Sequence, residues 1–198
     1  MVKQISEFRK TSYNIDPIFL KRWSPRSFQE KEVPEDVLMS LFEAARWAPS
    51  ASNEQPWRFV VARTKEEREK FFPFIMEVNR LWCEKAPVLA VILSKQANSK
   101  NEFNRTHAFD TGAAWGYLAL EAANKGLITH AMGGFYKDKA REILSVPEEY
   151  DIHAVVAIGY QGNKEDLPEK FHEREKPSDR HEVKDFIFAG SFGKKADK

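Results

Sequence analysis

The sequence of 198 residues has a single cysteine, Cys83, which excludes an internal disulfide and a thiolate metal cluster. It has almost no excess charge: 31 Lys+Arg stand against 30 Asp+Glu, so no general electrostatic grip on nucleic acid is expected. Long apolar runs are missing too. The richest stretch, Ala108–Leu127, is interrupted by Asp110, Glu121, Asn124 and Lys125 and reads as a buried helix, not a membrane span. Met1–Lys10 is polar and carries no apolar leader core, so the cytoplasm is the expected location. No GxGxxG follows a strand-like run and no GxxxxGK[ST] occurs, which removes the common dinucleotide and phosphate-loop grips. The five histidines include no i, i+4 pair and no HExxH, and there is no GxSxG elbow. Metal hydrolysis and serine hydrolysis therefore have no local signature.

Aromatic side chains are plentiful instead: 15 Phe, five Trp and five Tyr. Such content suits flat ligands, large interfaces or a large core. The length favours one domain, residues 1–198. Pro34, Glu35 and Asp36 open a helix whose apolar face is Leu38, Leu41, Phe42 and Ala45. Trp57–Ala62, Pro87–Ser94 and Ile152–Tyr160 read as strands, Lys65–Lys85 as a helix interrupted at Pro73, and Lys137–Ser145 as a short helix. Asn104–Lys125 is a long helix stopped by Gly126, with small residues at Gly112, Gly116 and Ala119. Residues 164–198 carry as many basic as acidic residues around one apolar cluster, Phe186-Ile187-Phe188. That cluster calls for burial, against this chain or against a second copy.

Four clusters could carry chemistry. Lys21-Arg22-Trp23-Ser24-Pro25-Arg26 spaces Arg22, Ser24 and Arg26 so that an extended backbone turns them to one side, where guanidinium forks and a hydroxyl suit an anion. On charge patterning alone, a solvated loop is the commoner outcome for such a run. Pro49-Ser50-Ala51-Ser52-Asn53-Glu54-Gln55-Pro56 is a proline-bracketed polar loop whose amides suit the edge of a heteroaromatic ring. Met132-Gly133-Gly134 allows close backbone approach or simply a turn. The fourth, Phe171–Pro177, adds cations in the charged tail.

Taken in order, these motifs resemble the FMN-dependent nitroreductase family. The resemblance runs through Arg22-Trp23-Ser24-Pro25-Arg26-Ser27-Phe28, Ala48-Pro49-Ser50-Ala51-Ser52-Asn53-Glu54-Gln55-Pro56-Trp57, Asp110-Thr111-Gly112-Ala113, Met132-Gly133-Gly134 and Ala157–Tyr160. It implies an α+β fold, a mostly antiparallel central sheet flanked by helices, in an interlocked homodimer with FMN at the interface. On that analogy Arg22, Trp23 and Ser24 hold the phosphate side and Arg26 lies nearer the pyrimidine edge. Pro49, Ser50, Ala51, Asn53 and Gln55 reach the flavin from the partner subunit, and Met132, Gly133 and Gly134 pass beside the ring. Arg174 or Lys176 completes the phosphate site, with Arg180 as the alternative, and residues 164–198 wrap the partner. The activity implied is hydride transfer from NAD(P)H to a nitroaromatic, quinone or related small acceptor by a ping-pong mechanism. Dehydrogenating or dehalogenating relatives and a flavin-binding module without turnover are the rival readings.

Overall fold

The apolar run at 88–95 is the strand around which the chain is built. In the computed structural model, which describes residues 7–195, Val88–Lys95 forms β2, and β1 (Trp57–Ala62) and β4 (Tyr150–Gly159) pair with it on either side. A short strand, β3 (Ile128–Met132), closes the far edge, giving the order β1-β2-β4-β3 with every pairing antiparallel. Because strand side chains alternate, Leu89, Val91 and Leu93 point to one core while Val88, Ala90 and Ile92 point to the other. A central strand covered on both faces has no need of polar residues, which is why its sequence reads as continuous hydrophobe.

The first core gathers Phe28, Phe71, Phe74 and Trp82 under one face of the sheet. The region expected as one helix over 65–85 is three pieces: α3 (Lys65–Glu69), a 3-10 turn at Phe72–Phe74, and α4 (Glu77–Cys83). Pro73 lacks the amide that a continuous helix would need, so the break falls around it. The opposite core is formed by α2 (Glu35–Arg46) and α5 (His107–Asn124), which bury Leu38, Leu41 and Ala45, and Ala114, Leu118 and Ala122, against the sheet. A short helix, α1 (Ile18–Lys21), leads into the cationic segment, and α6 (Lys137–Ile143) follows β3.

Phe28 stacks on Trp82, and Gln29 N donates to Tyr160 O at 2.9 Å while Gly162 N donates to Ser27 O at 2.8 Å. A Cβ on Gly162 would stand 2.6 Å from Ser27 Oγ and 3.0 Å from the Phe28 backbone, so this junction requires glycine. It ties the end of the cationic segment to the sheet.

The tail divides into two parts. Leu167 and Phe171 enter the first core, whereas Phe186, Ile187 and Phe188 remain 60%, 43% and 39% exposed. The outer face of α5 is likewise uncovered: Phe109 is 82% exposed, and nothing lies within 4 Å of a Cβ built on Gly112 or Gly116. Ala119, expected with those glycines, is instead buried within its own chain. Among the described residues no helix is long and apolar enough to cross a membrane.

Candidate functional site

The cationic segment lies beside a cavity of about 700 Å³, lined by Arg22, Trp23, Ala123, Leu127, Thr129 and Lys176 among others. Its backbone is gripped at both ends by charged side chains. At one end, Arg9 Nη1 donates to Leu20 O at 2.6 Å and to Arg22 O at 2.7 Å. At the other, the Glu175 carboxylate accepts from Arg26 N at 2.9 Å and from Ser27 N at 3.0 Å. The side chains of Arg22 and Ser24 meet only at 3.5 Å, the outer limit of a hydrogen bond.

Three arginines converge here. Burial and the neighbouring Arg180 hold the Arg22 guanidinium below its ordinary pKa, and burial, Arg180 and Arg22 do the same to Arg9. Arg180 donates to Ser178 and to Asp179 O, all neutral acceptors. Among the described residues, none of the three has a carboxylate within 4.0 Å. Arg180 bears on both Arg22 and Arg9, and Arg22 on Arg9, so positive charge gathers where no carboxylate comes within 4.0 Å, although Glu7, Glu173 and Glu175 also line the cavity. Lys176 lines the same cavity, while Arg174 is exposed and does not. Of the three tail cations named from sequence, Arg180 is thus the one coupled to Arg22. Arg9 carries no sequence signal: it is a lone arginine in a polar arm, and only folding brings it to Arg22.

The Pro49–Gln55 loop stands elsewhere. Ser52, Asn53 and Gln55 have φ of 51°, 56° and 47°, left-handed positions on either side of the right-handed Glu54 that residues other than glycine seldom adopt. Hydrogen bonds hold the loop there. Gln55 N donates to Ser50 Oγ at 3.0 Å, Ala51 N to the buried Asp110 Oδ2 at 3.1 Å, and Ser99 N to Glu54 Oε2 at 2.9 Å. The loop therefore holds one defined shape while most of its residues stay exposed. Pro49, Ala51 and Asn53 are exposed, and Ser50 and Gln55 half-buried.

Within one chain the two clusters do not meet. The loop is pinned to α5 at Asp110, and the arginine cavity reaches α5 at Ala119 and Ala123. Nine to thirteen residues of helix separate Asp110 from Ala119 and Ala123, about 14–20 Å along the axis.

At the end of β3, the Met132 side chain is buried in the first core, so only backbone is offered at this turn. A Cβ on Gly134 would stand 2.6 Å from Asn79 Nδ2, which donates to Gly134 O at 3.0 Å, so a larger residue here would displace that amide. Gly133 is exposed with open space around it. Nearby, His130 Nδ1 lies 3.0 Å from Pro25 O, and the ring packs at a tilt against Trp82, 4.5 Å between centroids. Burial lowers its pKa. Burial also pushes the Cys83 thiol up to about 12, which leaves it without thiolate chemistry.

Comparison with known proteins adds the family. The model of the nitroreductase family matches residues 19–81 and 76–160. The chain belongs to the nitroreductase family. It is 33% identical over 177 residues to an NADH dehydrogenase of Thermus thermophilus, covering 71% of this chain and 83% of that one. A solved oxidoreductase containing FMN shares 41% identity and superposes with a TM-score of 0.88, covering 94% of this chain and 96% of its own. Iodotyrosine deiodinase, solved with FMN and 3-iodo-L-tyrosine, shares the nitroreductase fold at 20% identity and a TM-score of 0.68, over 89% of this chain and 98% of its own.

Proposed function

We infer that this nitroreductase-family protein is an FMN-dependent oxidoreductase that uses NAD(P)H and works as a homodimer. The observation that carries the reading is the group of three arginines with no carboxylate within 4.0 Å among the described residues. A flavin phosphate is a dianion with several acceptor oxygens, which is the charge and the bonding this group lacks. Arg22 is the principal phosphate ligand, Ser24 adds a hydroxyl donor, Arg180 supplies the tail cation, and Trp23 walls the cavity. Lys176 adds a longer-range charge there. Arg174 and Arg180 are both exposed and off the cavity lining, and Arg180 is preferred because its charge bears on Arg22.

When bound, FMN would supply two-electron chemistry linking NAD(P)H to a nitroaromatic, quinone or related acceptor in ping-pong alternation. The chain contributes binding, orientation and charge. Arg26 is suited to the pyrimidine edge, where a fixed cation favours the negative charge that develops on reduction. Asn53 and Gln55 present amide donors and acceptors from a loop already locked in shape. Pro49, Ser50 and Ala51 fix that loop's entry. Gly133 leaves room for a ring to approach backbone, and Met132, anchored in the core, holds the turn in place.

A second copy supplies the other half of each site. The Asn53/Gln55 loop is anchored to α5 at Asp110, whereas the cavity beside Arg22 reaches that helix only at Ala119 and Ala123, and no loop residue lines the cavity. The uncovered face of α5 and the exposed Phe186–Phe188 segment supply apolar surface for a subunit interface. Reductive dehalogenation is the second reading, favoured by the likeness of fold to the deiodinase, and halogenated phenols assayed beside nitroaromatics separate the two.

Complementation tests the shared site. Arg22→Ala and the double variant Asn53→Ala/Gln55→Ala should each hold flavin poorly. Mixed dimers carrying one of each regain one intact site of the two. A mixture with no more bound flavin than its parents contradicts the reading.

A further inference from the structure

We propose that Arg9 is a positioning residue for the phosphate end of the flavin site, placing a buried positive charge behind Arg22 while fixing the segment that carries it. The proposal rests on the FMN reading above. Arg9 is 7% exposed. Its three hydrogen bonds go to carbonyls of two separate parts of the chain: Leu20 O and Arg22 O beside the cationic segment, and Ser178 O at 3.0 Å, two residues before Arg180. One guanidinium thereby sets the spacing between the main chain of Arg22 and that of Arg180. Glu175 holds the opposite end of the segment by its amides, so the side chains of Arg22, Ser24 and Arg26 are left for a ligand.

The chemistry of the acceptors makes this more than a structural clasp. Neutral carbonyls can be satisfied by neutral donors, and a buried cation carries a desolvation cost that a neutral donor avoids. Asp179 attracts Arg9 at longer range but is not within 4.0 Å, and Arg22 and Arg180 both repel it. A cation with only this distant carboxylate, placed beside two other cations, is better compensated once a dianion sits on Arg22. Arg9 bonds to the backbone side of Arg22, so it acts through the field and through the position of Arg22, without touching the phosphate itself.

The test compares FMN with riboflavin, which has the same ring and no phosphate, by fluorescence titration of the flavin-free full-length protein. Arg9→Gln keeps N–H donors for the carbonyls and removes the charge. Arg9→Lys keeps the charge and loses the fork. The wild type should prefer FMN; Arg9→Gln should cut that preference by about tenfold, the scale of one charge acting on a nearby dianion, with riboflavin affinity within about threefold of wild type. Arg9→Lys should keep the preference within about threefold. Three results would overturn the proposal: an unchanged preference in Arg9→Gln, an equal loss of both flavins, or a preference lost in Arg9→Lys. If Arg9→Gln does not fold, the Arg9→Lys ratio decides alone. A wild type that binds riboflavin as tightly as FMN instead removes the phosphate reading, and Arg9 with it.

Discussion

Truncating Arg22 separates the fold from the site. Arg22→Ala removes a half-buried side chain whose hydrogen bond within the chain is a 3.5 Å contact with Ser24 Oγ and whose charged neighbours are two further arginines. The grip of Arg9 is on Arg22 O, which alanine retains. In the flavin-free protein the loss of packing is therefore offset by relief of repulsion, and the unfolding free energy should move by less than about 1 kcal/mol. With flavin the balance differs: a charge-assisted bond to phosphate contributes about 1.5–3 kcal/mol. The Kd for FMN should rise roughly tenfold to a hundredfold. The assay is paired: fluorescence titration with FMN, and thermal melts with and without FMN at fixed concentration. Wild type should gain melting temperature on adding FMN, by linkage, and Arg22→Ala should gain little. An unchanged Kd, or a flavin-free variant destabilised by several kcal/mol, would refute the reasoning.

Asp110→Ala removes the acceptor of Ala51 N and Thr106 Oγ1, so it should lower stability by about 1–3 kcal/mol in chemical denaturation and reduce flavin retention as the left-handed loop relaxes. The two adjacent glycines should part company: Gly134→Ala displaces the Asn79 amide and costs about 1–3 kcal/mol, whereas Gly133→Ala leaves stability within about 0.5 kcal/mol, both read by urea denaturation. Stability should fall in acid through His130 and His153, whose folded pKa values burial lowers from 6.5. The unfolded chain takes up these protons first, so stability is complete above about pH 6.5 and declines below it, by at most about 1.4 kcal/mol per pH unit for each ring. Denaturation at pH 7.5 and 5.5 reads this, and His130→Phe should flatten part of the decline.

The layout of the core was legible because its signals are periodic. Leu38, Leu41 and Ala45 announce the buried face of α2, and the run Val88–Leu93 announces a strand covered on both sides. β3 escaped: Ile128–Met132 is five residues long and includes Thr129 and His130, so no apolar run marks it, although Gly126 at φ 77° signals the preceding helix end. The cationic segment and the polar loop were visible as residue types in order. Their shapes were not. The left-handed backbone of Ser52, Asn53 and Gln55 is imposed by Asp110 and Ser99, which are distant in sequence, and no glycine advertises it. Arg9 and Arg180 are single charges in polar stretches, and only the fold unites them with Arg22. The choice among the tail cations depends on a chain path that charge patterning does not encode.

The central claim is a flavin bound by this arginine group and reduced there. It is tested most directly by the visible absorbance of the purified protein, after supplementing with FMN and then adding NADH or NADPH without oxygen. The account predicts a yellow protein that retains its flavin through gel filtration, bleaches with at least one of the two nicotinamides, and regains colour on adding a quinone or nitroaromatic. A protein that stays colourless in excess FMN would contradict it.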